Sequence, residues 1–477
     1  MAISSAGIGS GLDVNSIVSQ LVNIERQPIR LLQGQATRLE TQISAFGRVQ
    51  SALSTLRDAA AKLGTASNWQ QSTATSSNSA ALGATPTGAV QKGNYTVVVS
   101  QLATGQTLSS AGYATPATAL GSGTLRIELG DFNAVPPVPK TGATAVDIVI
   151  DPNASSLTQI RDKINGAGAG VVASIVNDIG GSRLVLRSAQ TGAENGFRVQ
   201  IQADADGNAA NATGLSALAF DASAGGFSSM TRAQTASNAK ATIDGIAVES
   251  ASNTLSGTIE GLTLSLRQMG QAEVVVEPDN AALKKSVDDF VTAYNESIKL
   301  MRAQTSYDPA TKQAGPLQGD PSGKSMLQQL RGLFTGNGGI SSVYGRLADA
   351  GLSLSTEGTV KVDAVKLTAA LANGSELQKL FSNVDTVNPA KQGIADQLQG
   401  WLKKSLDGEG TLPTRTESLQ ERVRNNKEAQ ARLEDRVLRT QERLQRQYSA
   451  LDTRMGQLSG LASYVSQQMT LLNNNNR

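Results

Sequence analysis

The feature that most constrains this chain is its last stretch. From about Arg415 to Leu472 it reads as one long charged helix with an apolar seam. Stepping by sevens from Val423 gives Val423, Gln430, Val437, Leu444, Leu451, Leu458, Val465 and Leu472, of which one is polar. In the second half the interleaved positions fill as well: Leu444, Tyr448, Leu451, Met455, Leu458, Ala462, Val465, Met469 and Leu472 alternate four and three apart. That is the 3.5-residue repeat by which a helix buries one edge against another. Upstream the second seam is Leu419, Asn426, Leu433 and Thr440, so two steps of four meet at Leu444, a stutter that locally unwinds a supercoil without ending the helix. Glu428 with Arg432, Asp435 with Arg439 and Glu442 with Arg446 stand four apart, acid first, and are each expected to add about 0.2–0.5 kcal/mol. A seam this regular predicts a partner helix rather than a solvated single helix.

The other end of the chain offers one. Leu39, Gln42, Phe46, Val49, Leu53, Leu56, Ala60 and Leu63 alternate three and four apart in a segment without proline, ending near Gly64. Ahead of it, Asp13 is placed to cap a shorter helix striped by Val14, Ile17, Val18, Leu21 and Val22, and Pro28 breaks or kinks that helix. A third heptad segment follows Pro278, with Leu283, Val287, Phe290, Tyr294, Ile298 and Met301 in register.

What lies between is different. Aromatic residues make up 4% of the chain and small or polar residues dominate the middle, which predicts small, polar strands. Candidate strands are Tyr95–Val99, Thr124–Leu129, Val146–Ile150, Val171–Val176, Arg183–Arg187, Phe197–Ile201, Ala241–Glu249, Leu262–Arg267 and Glu273–Val276. A short helix over Leu157–Ile164 is capped by Ser155 or Ser156. Past the third heptad segment come a helix over Met326–Phe334 and a hairpin over Leu352–Val362 turning at Glu357 and Gly358. Asp363 then caps another helix, and two more run over Glu376–Phe381 and Ile394–Leu406. The fold class is α+β multidomain, with terminal helices forming a coiled-coil stalk or leg and nested β-rich insertions in the middle. The boundaries read as 1–38 with 430–477 for the leg, 39–68 with 278–429 for a helical bundle, 69–113 with 233–277 for a β-rich domain and 114–232 for an outer β-rich insertion.

Composition removes most chemistry. The chain has no cysteine and no histidine, so disulfides, thiol nucleophiles, imidazole bases and the commonest metal ligands are excluded. Lysine plus arginine (42) nearly balances aspartate plus glutamate (40), which argues against nucleic acid or an anionic membrane as a partner. No catalytic residue, cofactor or metal site is expected. Gly7, Gly9 and Gly11 follow no buried strand, and Gly319, Gly323, Lys324 and Ser325 miss the phosphate-loop spacing by one. Asp204, Asp206 and Asn208 have the alternate spacing of a calcium loop, but Ala209 stands where glycine is needed and Leu215 where glutamate is needed. Glu128 and Asp131 are a carboxylate pair without a surrounding motif. The N-terminus lacks the charged and continuous apolar regions of a cleaved secretory signal.

Several blocks carry a family resemblance: GIGSGLDVNSIVSQLVNIERQPIRLL (7–32), GNYTVVVSQLATGQTLSS (93–110), FVTAYNESIKLMRAQTSYDPATKQAGPLQGD (290–320), LADAGLSLSTEGTVKVD (347–363) and SYVSQQM (463–469). Together they resemble the flagellar hook-associated protein 2 family, the filament caps. SLTQIRDKINGAGAGVVASIVNDIGGSRLVLRS (156–188) is similar to the short repeat of flagellins and hook-associated proteins. The resemblance implies a cap at the distal tip of the bacterial flagellum, exported by the flagellar type III apparatus without a cleaved signal peptide. The partners it implies are further copies of the chain in a ring, flagellin, the hook–filament junction protein and a cytoplasmic export chaperone, with host mucin or glycan as a further possibility. The partner-binding residues expected on the leg and coiled-coil seams are Val14, Ile17, Leu21, Leu39, Phe46, Leu53, Leu444, Leu451, Leu458, Val465, Met469 and Leu472. Gln42, Asn426, Gln430 and Thr440 either loosen the leg for re-pairing or face solvent in a stable hairpin. The alternative function is a surface adhesin, the middle domain displayed on a stalk.

Overall fold

The computed structural model describes residues 13–475 except 311, 337–338, 384, 386 and 388–390, with the backbone alone for 472–475. Gly7, Gly9, Gly11 and the side chain of Leu472 lie outside the described residues. The chain divides into two compact units, residues up to Trp69 together with those from Asn280 onward, and Gln70–Asp279 between them.

The first unit is helical. Helix α1 (Val14–Glu25) starts at Asp13, whose carboxylate accepts from the Ser16 amide at 3.0 Å. Helix α2 (Gln27–Gly64) follows after Arg26 alone, with Pro28 in its first turn, where its missing amide costs nothing. The proline therefore opens α2, and the Arg30 amide still reaches the Arg26 carbonyl at 3.2 Å. A short turn of helix, α3 (Ala66–Trp69), places the Trp69 ring 5.7 Å from that of Phe381, and its indole N–H donates to the Leu63 carbonyl at 2.8 Å.

The second unit, all antiparallel, contains two β cores. One lies between a five-stranded sheet, in the order 72–76, 270–278, 93–101, 239–243 and 246–250, and a three-stranded sheet of 254–259, 262–266 and 82–86; Val97, Val99, Leu264, Val274 and Val276 fill it. The other joins two four-stranded sheets to helix α4 (Leu157–Gly166) around Leu125, Ile127, Ile160, Leu186 and Phe197. Ser156 is the cap of α4, in a capping box with Gln159. One expectation is corrected: Ala241–Glu249 is not one strand but a hairpin of Ala239–Ile243 and Ile246–Ser250. Asp244 and Gly245 turn it with φ of 49° and 84°, the paired positive values that suit a tight hairpin and that an Asp-Gly pair supplies at low cost.

Back in the helical unit come α5 (Asn280–Thr305), α6 (Pro321–Thr335), α7 (Ala364–Ala372), α8 (Gly374–Phe381), α9 (Ile394–Leu406) and α10 (Thr411–Asn475), which is 65 residues long. All six heptad residues of α5 are buried and face those of α2 in one core with Phe334, Phe381, Leu398 and the first turns of α10. Tyr294 and Phe334 lie 4.6 Å apart, and Phe290 meets Phe381 edge to face at 6.1 Å. The expected hairpin forms from Leu352–Leu354 and Val360–Val362, and the Asn295 side chain binds both the amide and the carbonyl of Val360.

Candidate functional site

The leg is built where α10 runs past the bundle. Lys427 pairs with Glu40 at 3.3 Å, while Glu434 and Val437 lie beside Ile29 and Arg30, so residue numbers rise on one helix as they fall on the other and the helices are antiparallel. Beyond Leu39, Leu419 and Val423, which belong to the bundle core, a separate small cluster forms from Val14, Val18, Val22, Ile29 and Val437, with Leu433, Leu444 and Tyr448 packed against it. Between the two cores the helix pair buries only Ala36 and Asn426, with Gln430 half-buried, and the Gln430 amide donates to the Asn426 side-chain oxygen at 2.6 Å. A polar layer therefore separates leg from bundle.

Continuing the antiparallel register from Ile29 and Val437 brings Val14 level with Asp452. From Leu451 onward no described segment covers the seam. Leu451, Met455, Leu458, Val465 and Met469 are exposed, Leu458 at 62% and Met469 at 65%. The expectation that the whole seam is buried is thus corrected for the single chain: α1 is too short, within its described length, to reach the last turns of α10. On α1 itself the buried stripe is Val14, Val18 and Val22, four apart, while Ile17 and Leu21 are half-buried and Ile24 is exposed; Leu31, early in α2, is exposed as well. Leu39, Phe46 and Leu53 are spent inside the bundle core of their own chain. The pairs on α10 also need correction. Only Glu428 and Arg432 approach, at 3.7 Å, and Arg446 turns its Nε to the Glu442 carbonyl instead at 3.3 Å.

Other candidate sites resolve into structural roles. Asp206 accepts from the Asn208 amide, Asn211 and Thr213, and these bonds hold its carboxyl below the usual range, so the loop closes on itself. Among the described residues no cluster of metal-ligating side chains occurs. Asp320, in the false phosphate loop, caps α6 through the Ser322 amide at 2.9 Å and binds Arg415 at 2.7 Å, which stitches the start of α10 to the bundle. Glu128 is held by Arg198 at 2.6 Å and Asp131 caps a turn through the Asn133 amide. Glu376 is lowered to about 2 by the Lys379 ammonium and then the Ser341 hydroxyl, with the Ser342 amide also donating to it, tying residues 341–342 to α8. No helix among the described residues is long and apolar enough to cross a membrane.

The family model described as the flagellar hook-associated protein 2 N-terminus matches residues 10–106, that of the C-terminus matches 236–460, and the flagellin hook IN motif matches 139–190. The B-type flagellar hook-associated protein 2 of Pseudomonas aeruginosa is 31% identical, over 99% of this chain and 98% of the relative. The flagellar hook-associated protein 2 of Escherichia coli K12 is 30% identical, over 100% of this chain and 99% of the relative. Among solved structures, the D1-D2-D3 domains of the flagellar cap protein FliD from Escherichia coli match with a TM-score of 0.64 at 31% identity, covering 79% of this chain and 99% of that one. With relatives at this identity aligned from end to end, the chain belongs to the flagellar hook-associated protein 2 family.

Proposed function

We propose that this chain caps the distal end of the bacterial flagellar filament, promotes folding and insertion of flagellin there, and prevents loss of exported monomer. The role is structural and no reaction is assigned to it. The near full-length similarity to proteins named as hook-associated or cap proteins supports the reading. The observation that carries the mechanism is the apolar edge of α10 from Leu451 onward, which no described segment of its own chain covers. Side chains of this kind in water mark a surface that assembly buries. Leu451, Leu458, Val465 and Met469 supply the contact, and Val14, Leu444 and their neighbours hold the leg that presents it. The occupants are flagellin at the filament tip, neighbouring copies in a ring, and before export a chaperone that shields the same edge; the hook–filament junction protein is a further partner. The polar layer at Asn426 and Gln430 lets the leg re-pair while the bundle stays closed. The adhesin alternative gains nothing from the relatives' names.

Flagellin partitioning tests the function. In cells deleted for this chain, flagellin should leak as monomer into the medium, and purified protein should return it to filament. Normal filaments without the protein would sink the capping role.

A further inference from the structure

The side of α10 turned away from α1 is as regularly patterned as the seam. Arg432, Arg436, Arg439, Arg443 and Arg446 recur four and three residues apart, and all five are exposed. On a helix rising 1.5 Å per residue they make one column about 21 Å long, roughly 130° around the helix from the Leu433, Val437 and Leu444 edge that packs on α1. With Asp435, Thr440 and Glu442 they line a shallow open groove. Charged helix faces are normally laced with opposite charges. Here, among the described residues, Arg436, Arg439 and Arg443 have no carboxylate within ion-pair distance, although Asp435 and Glu442 stand at the edge of the column. Like charges so spaced repel one another and weaken the helix, a cost that an oppositely charged occupant removes.

We propose that this column docks an acidic helix of a partner protein, with carboxylates repeating at the same four-three spacing. The planar guanidinium fork suits carboxylates, which it binds two bonds at a time. A uniform polyanion fits less well. Asp435 and Glu442 line the same groove and would face its phosphates, whereas a helix can place neutral or basic residues opposite them. Further along the same side Leu461 and Tyr464 are exposed, so the occupant is acidic over one half and apolar over the other. The arginine column lies on a different side of α10 from the Leu433, Val437 and Leu444 edge, with Thr440 where the groove meets the seam, and the proposal stands whether or not the chain caps filaments.

The test uses the full-length chain and two synthetic helical peptides of one composition. One carries glutamates at four-three spacing followed by leucines on the same face, and the other has the sequence scrambled. By fluorescence anisotropy the striped peptide should bind at least about tenfold more tightly than the scrambled one, an advantage that shrinks as salt shortens the screening length below about 10 Å. R436Q/R439Q/R443Q should lose the advantage with its circular dichroism retained and its melting no lower than wild type, since the repulsion is relieved, and R436K/R439K/R443K, which keeps the charge, should retain part of it. Equal affinity for the two peptides, no loss in the glutamine variant, or equally tight capture of duplex DNA or phosphatidylglycerol vesicles would overturn the proposal. So would self-association that depends on these arginines without peptide capture.

Discussion

Val437→Ala perturbs the leg while leaving α1 itself untouched. Val437 is 3% exposed and is, among the described residues, the one fully buried side chain that α10 contributes to the cluster with Val14, Val18, Val22 and Ile29. Removing two methyl groups costs about 1.6 kcal/mol in transfer, and the unfilled space adds to it. Alanine returns about 0.5 kcal/mol through its better helix propensity, which leaves a net loss of about 1.5–2 kcal/mol. A helix of the length of α1 is marginal on its own in water, so the loss falls on its docking equilibrium and raises the open population roughly tenfold to thirtyfold. Native-state hydrogen exchange reads this directly. Amides of residues 14–25 should exchange faster by that factor, while those of 46–63 in α2 and 283–301 in α5, held by the larger core, keep their wild-type rates. Equal acceleration in all three segments would mean that leg and bundle open as one unit, and the division at the polar layer would be refuted. No acceleration in α1 would mean that the small cluster does not hold it.

Joining the two cores with N426L/Q430L should slow exchange in residues 14–25 and reduce filament recovery in the add-back assay; unchanged recovery would show that the leg works without opening. Arg415→Ala leaves the 3%-exposed Asp320 carboxylate without its cation and should lower the urea-unfolding free energy by about 2–3 kcal/mol, with Arg415→Lys recovering only part. Glu376 has its folded-state pKa depressed to about 2, so its contribution is present above the ordinary glutamate range and is lost as pH falls toward 2. Glu376→Gln should therefore be less stable at neutral pH and lose less stability between pH 4.5 and 2, a difference that acid titration by circular dichroism reads. L458S/V465S changes only exposed positions, so monomer stability should move by less than about 0.5 kcal/mol while filament recovery falls.

The helices were legible because a 3.5-residue period is a local property. The seams of α2, α5 and α10 lie in register along the residues that periodicity selects, and Asp13, Ser156 and Asp363 cap the helices assigned to them. The sheets were less so. Residues 72–76 pair with 270–278 across some two hundred intervening residues, a partner choice that no local pattern encodes. The hairpin at Asp244 and Gly245 is a different case, since its signal stands in the sequence and the uninterrupted apolar alternation around it masked the turn. At the candidate site the period of α10 gave the edge that must be buried but not the owner of the surface that buries it. Up to Tyr448 the owner is the same chain; from Leu451 onward no described segment of the chain covers the edge, and both halves carry the same heptads. Spacing was equally silent on the arginines. The notation of acid and base four apart suggests three ion pairs, yet exposed side chains of this length gain too little from pairing to fix their geometry, and one pair forms. What the sequence could not separate, the burial pattern does: α10 is one uninterrupted helix carrying a bundle segment, a leg segment and, among the described residues, an exposed segment in succession. The bundle and leg segments meet at Asn426 and Gln430, where polar side chains replace the apolar ones that would have joined them.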